Sequence, residues 1–81
     1  MMVDLTAVES SVIAAVGYDE KRHVLYILFN NGRTYEYYDV PLDVYTGLMA
    51  AESKGKFLNE NVLDIYRYDR FQGWKRTVSS N

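Results

Sequence analysis

Two runs rich in β-branched and aromatic residues, Leu25-Tyr26-Ile27-Leu28-Phe29 and Thr34-Tyr35-Glu36-Tyr37-Tyr38, are separated by Asn30-Asn31-Gly32. Such residues suit a pleated, half-buried surface, and Asn-Gly between them is a strong hairpin signal. Two registers compete. A two-residue Asn31-Gly32 turn sets Phe29 opposite Thr34 and Ile27 opposite Glu36. A three-residue loop, with a type I turn and Gly32 in the left-handed position, sets Ile27 opposite Tyr35 and Leu25 opposite Tyr37. A shift of one residue sends every side chain to the other face. The second register gathers Leu25, Ile27, Phe29, Tyr35 and Tyr37 on one face and lets Glu36 reach water, so it is preferred. Its other face, with Tyr26, Leu28 and Tyr38, is expected to be polar enough for solvent and aromatic enough to bind something.

The rest of the chain is read around this hairpin. Residues 1–9 show no period and read as an extended lead-in. Val12–Tyr18 is apolar and β-branched and ends on Gly17-Tyr18, which predicts a first strand, although Ala14 and Ala15 also suit a short helix. Asp19–Arg22 is a polar turn into the hairpin. Pro41 fits a helix start, and Val44, Leu48 and Ala51 recur at helical spacing over Leu42–Glu52. Asp43 favours the positive end of the helix dipole. Gly47 costs about 1 kcal/mol in a helix interior and is assigned to a close approach of helix and sheet. Lys54-Gly55-Lys56 is expected to stop this helix, and Asn59 to cap a second short one with Val62, Leu63 and Tyr66 on its buried side. From Arg67 to Arg76 basic and aromatic residues alternate. The fold expected is α+β: a three-stranded antiparallel β-meander packed by one main helix, then a second short helix and a basic-aromatic C-terminal tail.

The 81 residues suffice for one domain. There is no cysteine, so disulfides, cysteine-type zinc sites and thiol chemistry are excluded. No apolar run approaches the roughly 20 residues that span a bilayer, and no basic leader precedes an apolar segment. A cytoplasmic, soluble domain without a membrane partner is expected. Net charge is −2, divided as −5 over residues 1–53 and +3 over residues 54–81. The overall balance argues against strong non-specific nucleic-acid binding, while the basic end allows a local patch.

Eight tyrosines are many for this length. They build either a core with wet edges or a recognition surface. Tyr35 and Tyr37 are read as core residues beneath the helix, with a base-stacking platform as the alternative. Tyr26 and Tyr38, on the opposite face, are the candidate contact residues. Lys54, Lys56, Arg67 and Arg70 are candidate phosphate contacts if their turns converge. Trp74 with Lys75 and Arg76 is either a recognition tail or a cap on the sheet. His23, the only histidine, sits beside a turn and reads as surface. Ser10, Ser11 and Asp39 have no histidine partner at a triad spacing, Asp19 and Glu20 are adjacent turn acids, and no glycine-rich phosphate loop is present. The expected class is therefore non-enzymatic, with no cofactor, no metal and no small-molecule substrate.

Ser10-Ser11, Ile13, Val16-Gly17-Tyr18-Asp19, Leu25-x-Ile27-x-Phe29-x-x-Gly32-x-x-Tyr35-x-Tyr37-x-x-Val40-Pro41-x-x-Val44-Tyr45, Leu48, Ala51-x-Ser53-x-Gly55-x-Phe57-x-Asn59 together resemble the KTSC domain. The resemblance places one domain at residues 8–70, with residues 1–7 as lead-in and residues 71–81 as a tail outside the pattern. It implies a module of the kind found at the C-terminus of some lysyl-tRNA synthetases and as a stand-alone protein, without established activity. It points to RNA as the partner. A protein partner or a second copy of the chain is the other expectation, motivated by the aromatic second face.

Overall fold

The computed structural model describes residues 4–71, in the order β1 (Thr6–Ala7), β2 (Ile13–Asp19), β3 (Val24–Phe29), β4 (Thr34–Tyr37), α1 (Leu42–Ala50), α2 (Lys54–Asn61) and β5 (Tyr68–Arg70). The fold is α+β. The strands form one antiparallel sheet in the order β1-β2-β3-β4-β5. The expected meander is its centre, β2-β3-β4, and the sheet is wider than expected by one short strand at each edge. Those strands are two and three residues long, too short to display the alternation by which strands are recognised in sequence.

The hairpin takes the three-residue loop. Leu25 pairs with Tyr37 and Ile27 with Tyr35. The Gly32 amide donates to the Phe29 carbonyl at 2.9 Å, and Gly32 has φ +90°, where a side chain would be strained. Asn31 Oδ1 accepts from the Arg33 amide at 2.9 Å. On β2 the register shifts between Ile13 and Ala15, so Ala14 is the extra residue of a bulge.

The core lies between one sheet face and the helices. Ile13, Val16, Leu25, Ile27 and Tyr37 of the sheet meet Leu48 of α1, Leu58 of α2, and Val40 and Val62 of the connections. Pro41 precedes α1 at φ −72° and ψ 157°, a geometry its ring favours. Tyr18 ties α1 to the sheet: its ring stacks on Tyr45 at 5.0 Å and 10°, and its hydroxyl donates to the Val40 carbonyl.

The second helix begins earlier than expected. Ser53 is its N-cap, accepting from the Lys56 amide at 3.4 Å, and Lys54-Gly55-Lys56 forms its first turn instead of ending α1. Asn59 lies inside α2 and caps nothing at its start. Gly55 is admitted by packing, since a Cβ there would stand 3.3 Å from Val12 Cγ2. Gly47 serves contact between the helices, and the expected approach to the sheet is corrected: a Cβ would fall 2.8 Å from Phe57 Cζ.

Candidate functional site

Leu63 to Arg67 carry the chain from α2 back to the sheet, where β5 pairs with β4. The register sets Tyr68 opposite Tyr37, Asp69 opposite Glu36 and Arg70 opposite Tyr35. Side chains alternate across a strand. Tyr68 and Arg70 therefore share the helix-side face with Tyr35 and Tyr37, while Asp69 shares the other face with Glu36. Hydrogen bonds from the Tyr38 amide to the Arg67 carbonyl and from the Phe71 amide to the Thr34 carbonyl, both 2.9 Å, close the two ends of this ladder.

The pairing assembles four rings. Tyr68 stands 5.7 Å from Tyr35 at 78° and 5.7 Å from Tyr37 at 38°, and Phe29 stands 5.8 Å from Tyr35 at 70°. Steep angles make these rings the walls of a recess and not a parallel stack. With Asn59, Leu63 and Asp64 they line a cavity of about 300 Å³. That volume is at the lower end of the ~300–1,000 Å³ usual for ligand pockets. Tyr37 is almost fully buried at its base, and Tyr68 is 62 % exposed at its mouth. Burial, then the neighbouring Tyr68 and Tyr35, push the Tyr37 phenol up to about 12, so it remains a neutral hydroxyl. Asp64 takes φ 67°, a left-handed conformation that aspartate tolerates better than most residues.

A second, open groove of about 710 Å³ lies on the other side of Tyr68 and Asp64, with Tyr38, Ile65 and Arg67 along it. The Arg67 guanidinium carbon sits 5.4 Å from the centre of the Tyr38 ring, within cation–π range. Arg67 Nη2 also approaches Asp39 Oδ2 at 3.7 Å, but both side chains are at least 80 % exposed, so this pair holds little. Burial and the adjacent Glu36 raise the Tyr38 phenol, while Arg67 opposes them.

The structure treats the candidate residues unequally. Tyr38 and Arg67 come together along the open groove, whereas Arg70, the last residue of β5, lines neither cavity. Lys54 and Lys56 stay on the first turn of α2 and line neither cavity; Lys54 Nζ donates to the Ala51 carbonyl at 2.9 Å. Tyr26 overturns its expectation. It is 1 % exposed, opposite Gly17 on β2, with its ring 5.1 Å from Phe71 at 71°. The second sheet face is correspondingly closed at Val24, Tyr26 and Thr34, all buried, and Leu28 is half-buried. Tyr35 and Tyr37 do pack beneath the helices, and they also line the cavity. Sequence reading missed Tyr68, Asn59 and Asp64. The alternation of Arg67, Tyr68 and Arg70 is the available signal, and the three residues of β5 are too few to read as a strand. Trp74, Lys75 and Arg76 lie outside the described residues. Among the described residues no group of acidic or histidine side chains is placed to hold a metal ion, and no helix is long and apolar enough to cross a membrane.

Comparison with known proteins assigns this architecture. The KTSC domain family model matches residues 9–70, well over half of the chain. The chain belongs to the KTSC domain family. A solved KTSC domain protein from Yersinia pestis has the same fold, with a TM-score of 0.83 and 30% identity over 86% of this chain and 99% of that one. A protein of Tsukamurella paurometabola is 48% identical over 60 residues, which is 74% of this KTSC chain and 90% of that relative. A lysine–tRNA ligase of Nostoc punctiforme is 36% identical over 62 residues, or 76% of this chain but only 11% of the ligase. The KTSC domain thus resembles one small segment of that enzyme.

Proposed function

We propose that this KTSC domain is a non-enzymatic module that binds single-stranded RNA along β5. The observation that carries the reading is the arrangement of Arg67 over the Tyr38 ring beside the 62 % exposed Tyr68. Proteins that bind single strands combine basic side chains on the backbone with aromatic faces for the bases, each stacked base giving roughly 1–3 kcal/mol. Arg67 and Arg70 meet phosphates, and Tyr38 and Tyr68 take bases. The likeness to a segment of a lysine–tRNA ligase, whose substrate by name is a tRNA, supports the same partner. Lys54 and Lys56 are not needed for this surface.

The test is a titration of isotope-labelled protein with short unstructured RNAs at low salt. Amide shifts of Tyr38, Arg67, Tyr68 and Arg70 that reverse on adding salt are expected. An unchanged spectrum at low salt, where phosphate contacts are strongest, removes the reading.

A second reading is favoured by a different observation. All three residues of β5 are exposed, and Ile65 is 58 % exposed beside them. A protein strand, or a second copy of this chain, added to that edge is the form it takes. Light scattering decides for or against the second copy, and Arg67→Ala distinguishes RNA binding, which it weakens, from strand addition, which it leaves intact.

A further inference from the structure

The cavity behind Tyr68 differs from the groove in front of it. We infer that it is a pocket for one unstacked guanine base, an inference that rests on the RNA reading and adds a base preference to it. Its walls are ring faces and edges from Phe29, Tyr35, Tyr37 and Tyr68, and its polar rim holds Asn59 and Asp64. Protein recognition of single-stranded RNA works through splayed bases that stack on aromatic side chains and hydrogen-bond through their edges. Tyr68, 62 % exposed, is the wall at the mouth; Tyr37, 3 % exposed, is the floor.

The polar groups select among the bases. An ionised carboxylate only accepts hydrogen bonds, and it accepts two side by side. Guanine alone among the four bases presents two adjacent N–H donors, at N1 and N2, to one carboxylate. Adenine and cytosine each present an amino group beside a ring acceptor, which a carboxylate repels. Uracil offers one N–H between two carbonyls. Asp64 therefore favours guanine and disfavours the other three, while the Asn59 amide carries both a donor and an acceptor for a second edge. Arg70 lies directly across the strand pair from Tyr35, one of the pocket's walls, and is assigned to the attached phosphate.

The experiment compares hexauridylate with three hexamers in which one central uridine is replaced by guanosine, adenosine or cytidine. Binding to the full chain is followed by amide shifts at low salt. The guanosine hexamer is expected to bind about ten-fold tighter than the others, the discrimination given by one bidentate base contact, and to move the amides of Tyr35, Asn59 and Asp64. Asp64→Asn keeps the left-handed backbone, which asparagine tolerates, and is expected to abolish the preference for guanosine, with the four hexamers then binding alike. Tyr68→Ala is expected to weaken all four. Equal binding of the four hexamers with shifts confined to Tyr38, Arg67 and Tyr68 overturns the pocket and leaves RNA binding in place. A guanine preference that survives Asp64→Asn overturns it too. Failure of every hexamer to shift any amide removes RNA binding and the pocket with it.

Discussion

Gly47 of α1 lies directly against the ring of Phe57 in α2, so close that a methyl group on Gly47 would stand 2.8 Å from Phe57 Cζ. Glycine to alanine in a helix ordinarily gains about 1 kcal/mol. Here the methyl must displace a half-buried ring, and overpacking costs about 1–3 kcal/mol. Gly47→Ala is therefore expected to destabilise the fold by about 1 kcal/mol in urea denaturation. In a Phe57→Leu background the ring is gone and the same change is expected to stabilise. Additive effects in this double-mutant cycle would refute the contact.

Tyr37 gives the fold an alkaline limit. Its phenol rises from an ordinary value of 10.0 to about 12 in the folded state, chiefly through burial. The folded form then holds its proton where the unfolded chain has lost it. The stabilisation is complete below pH ~10 and is lost as pH rises from ~10 to ~12, since stability falls wherever the unfolded state binds fewer protons. Tyr18, Tyr26 and Tyr38, also raised by burial first, act in the same direction. Denaturation midpoints measured across this range are expected to fall, and Tyr37→Phe to flatten the fall.

Tyr26 is predicted to be structural. Tyr26→Ala removes a side chain that is 1 % exposed and, at about 3–5 kcal/mol for an aromatic-to-alanine change in a core, leaves a domain this small close to unfolding. Thermal melts measure it. Tyr26→Phe is expected to retain the fold and to leave RNA binding unchanged.

Thr34 is buried on the same face, and its hydroxyl has no hydrogen-bond partner among the described residues. An unpaired buried hydroxyl costs roughly 1–3 kcal/mol. Thr34→Val keeps the shape and removes the hydroxyl, so its melting temperature is expected to rise. A fall would indicate that the hydroxyl is satisfied.

The arginines make a quantitative prediction about salt. Each phosphate contact on a single strand adds about 0.7 to the slope of log affinity against log salt. Arg67→Ala and Arg70→Ala are each expected to lower that slope by about 0.7, and Lys56→Ala to leave it unchanged. Fluorescence anisotropy over a salt series reads the difference.

The hairpin register was legible because it rests on local chemistry: Gly32 needs its turn, and the alternation from Leu25 to Tyr37 tolerates one pairing. The α+β class followed from that hairpin and the apolar spacing of Val44 and Leu48. What escaped depends on distant partners. Gly55 reads as a breaker until Val12 is seen against it, and Tyr26 reads as surface until the opposing Gly17 and the ring of Phe71 are placed beside it. Tyr68 is one of eight tyrosines until β5 brings it to Tyr37. Residue type alone singles out Tyr38 and Arg67, which the structure brings together, whereas the cavity behind Tyr68 has no signal in the sequence.

The separation of Tyr37 from Tyr68 along the chain has a consequence for the order of assembly. β2, β3 and β4 follow one another through tight turns, whereas β5 reaches β4 only after both helices have been laid down. Contacts between distant segments close late, because loop entropy must be spent first. The recess between Tyr37 and Tyr68 is therefore expected to form late in folding and to open early. A ligand held there is expected to act as a clasp, fastening the final strand and slowing the exchange of the β5 amides.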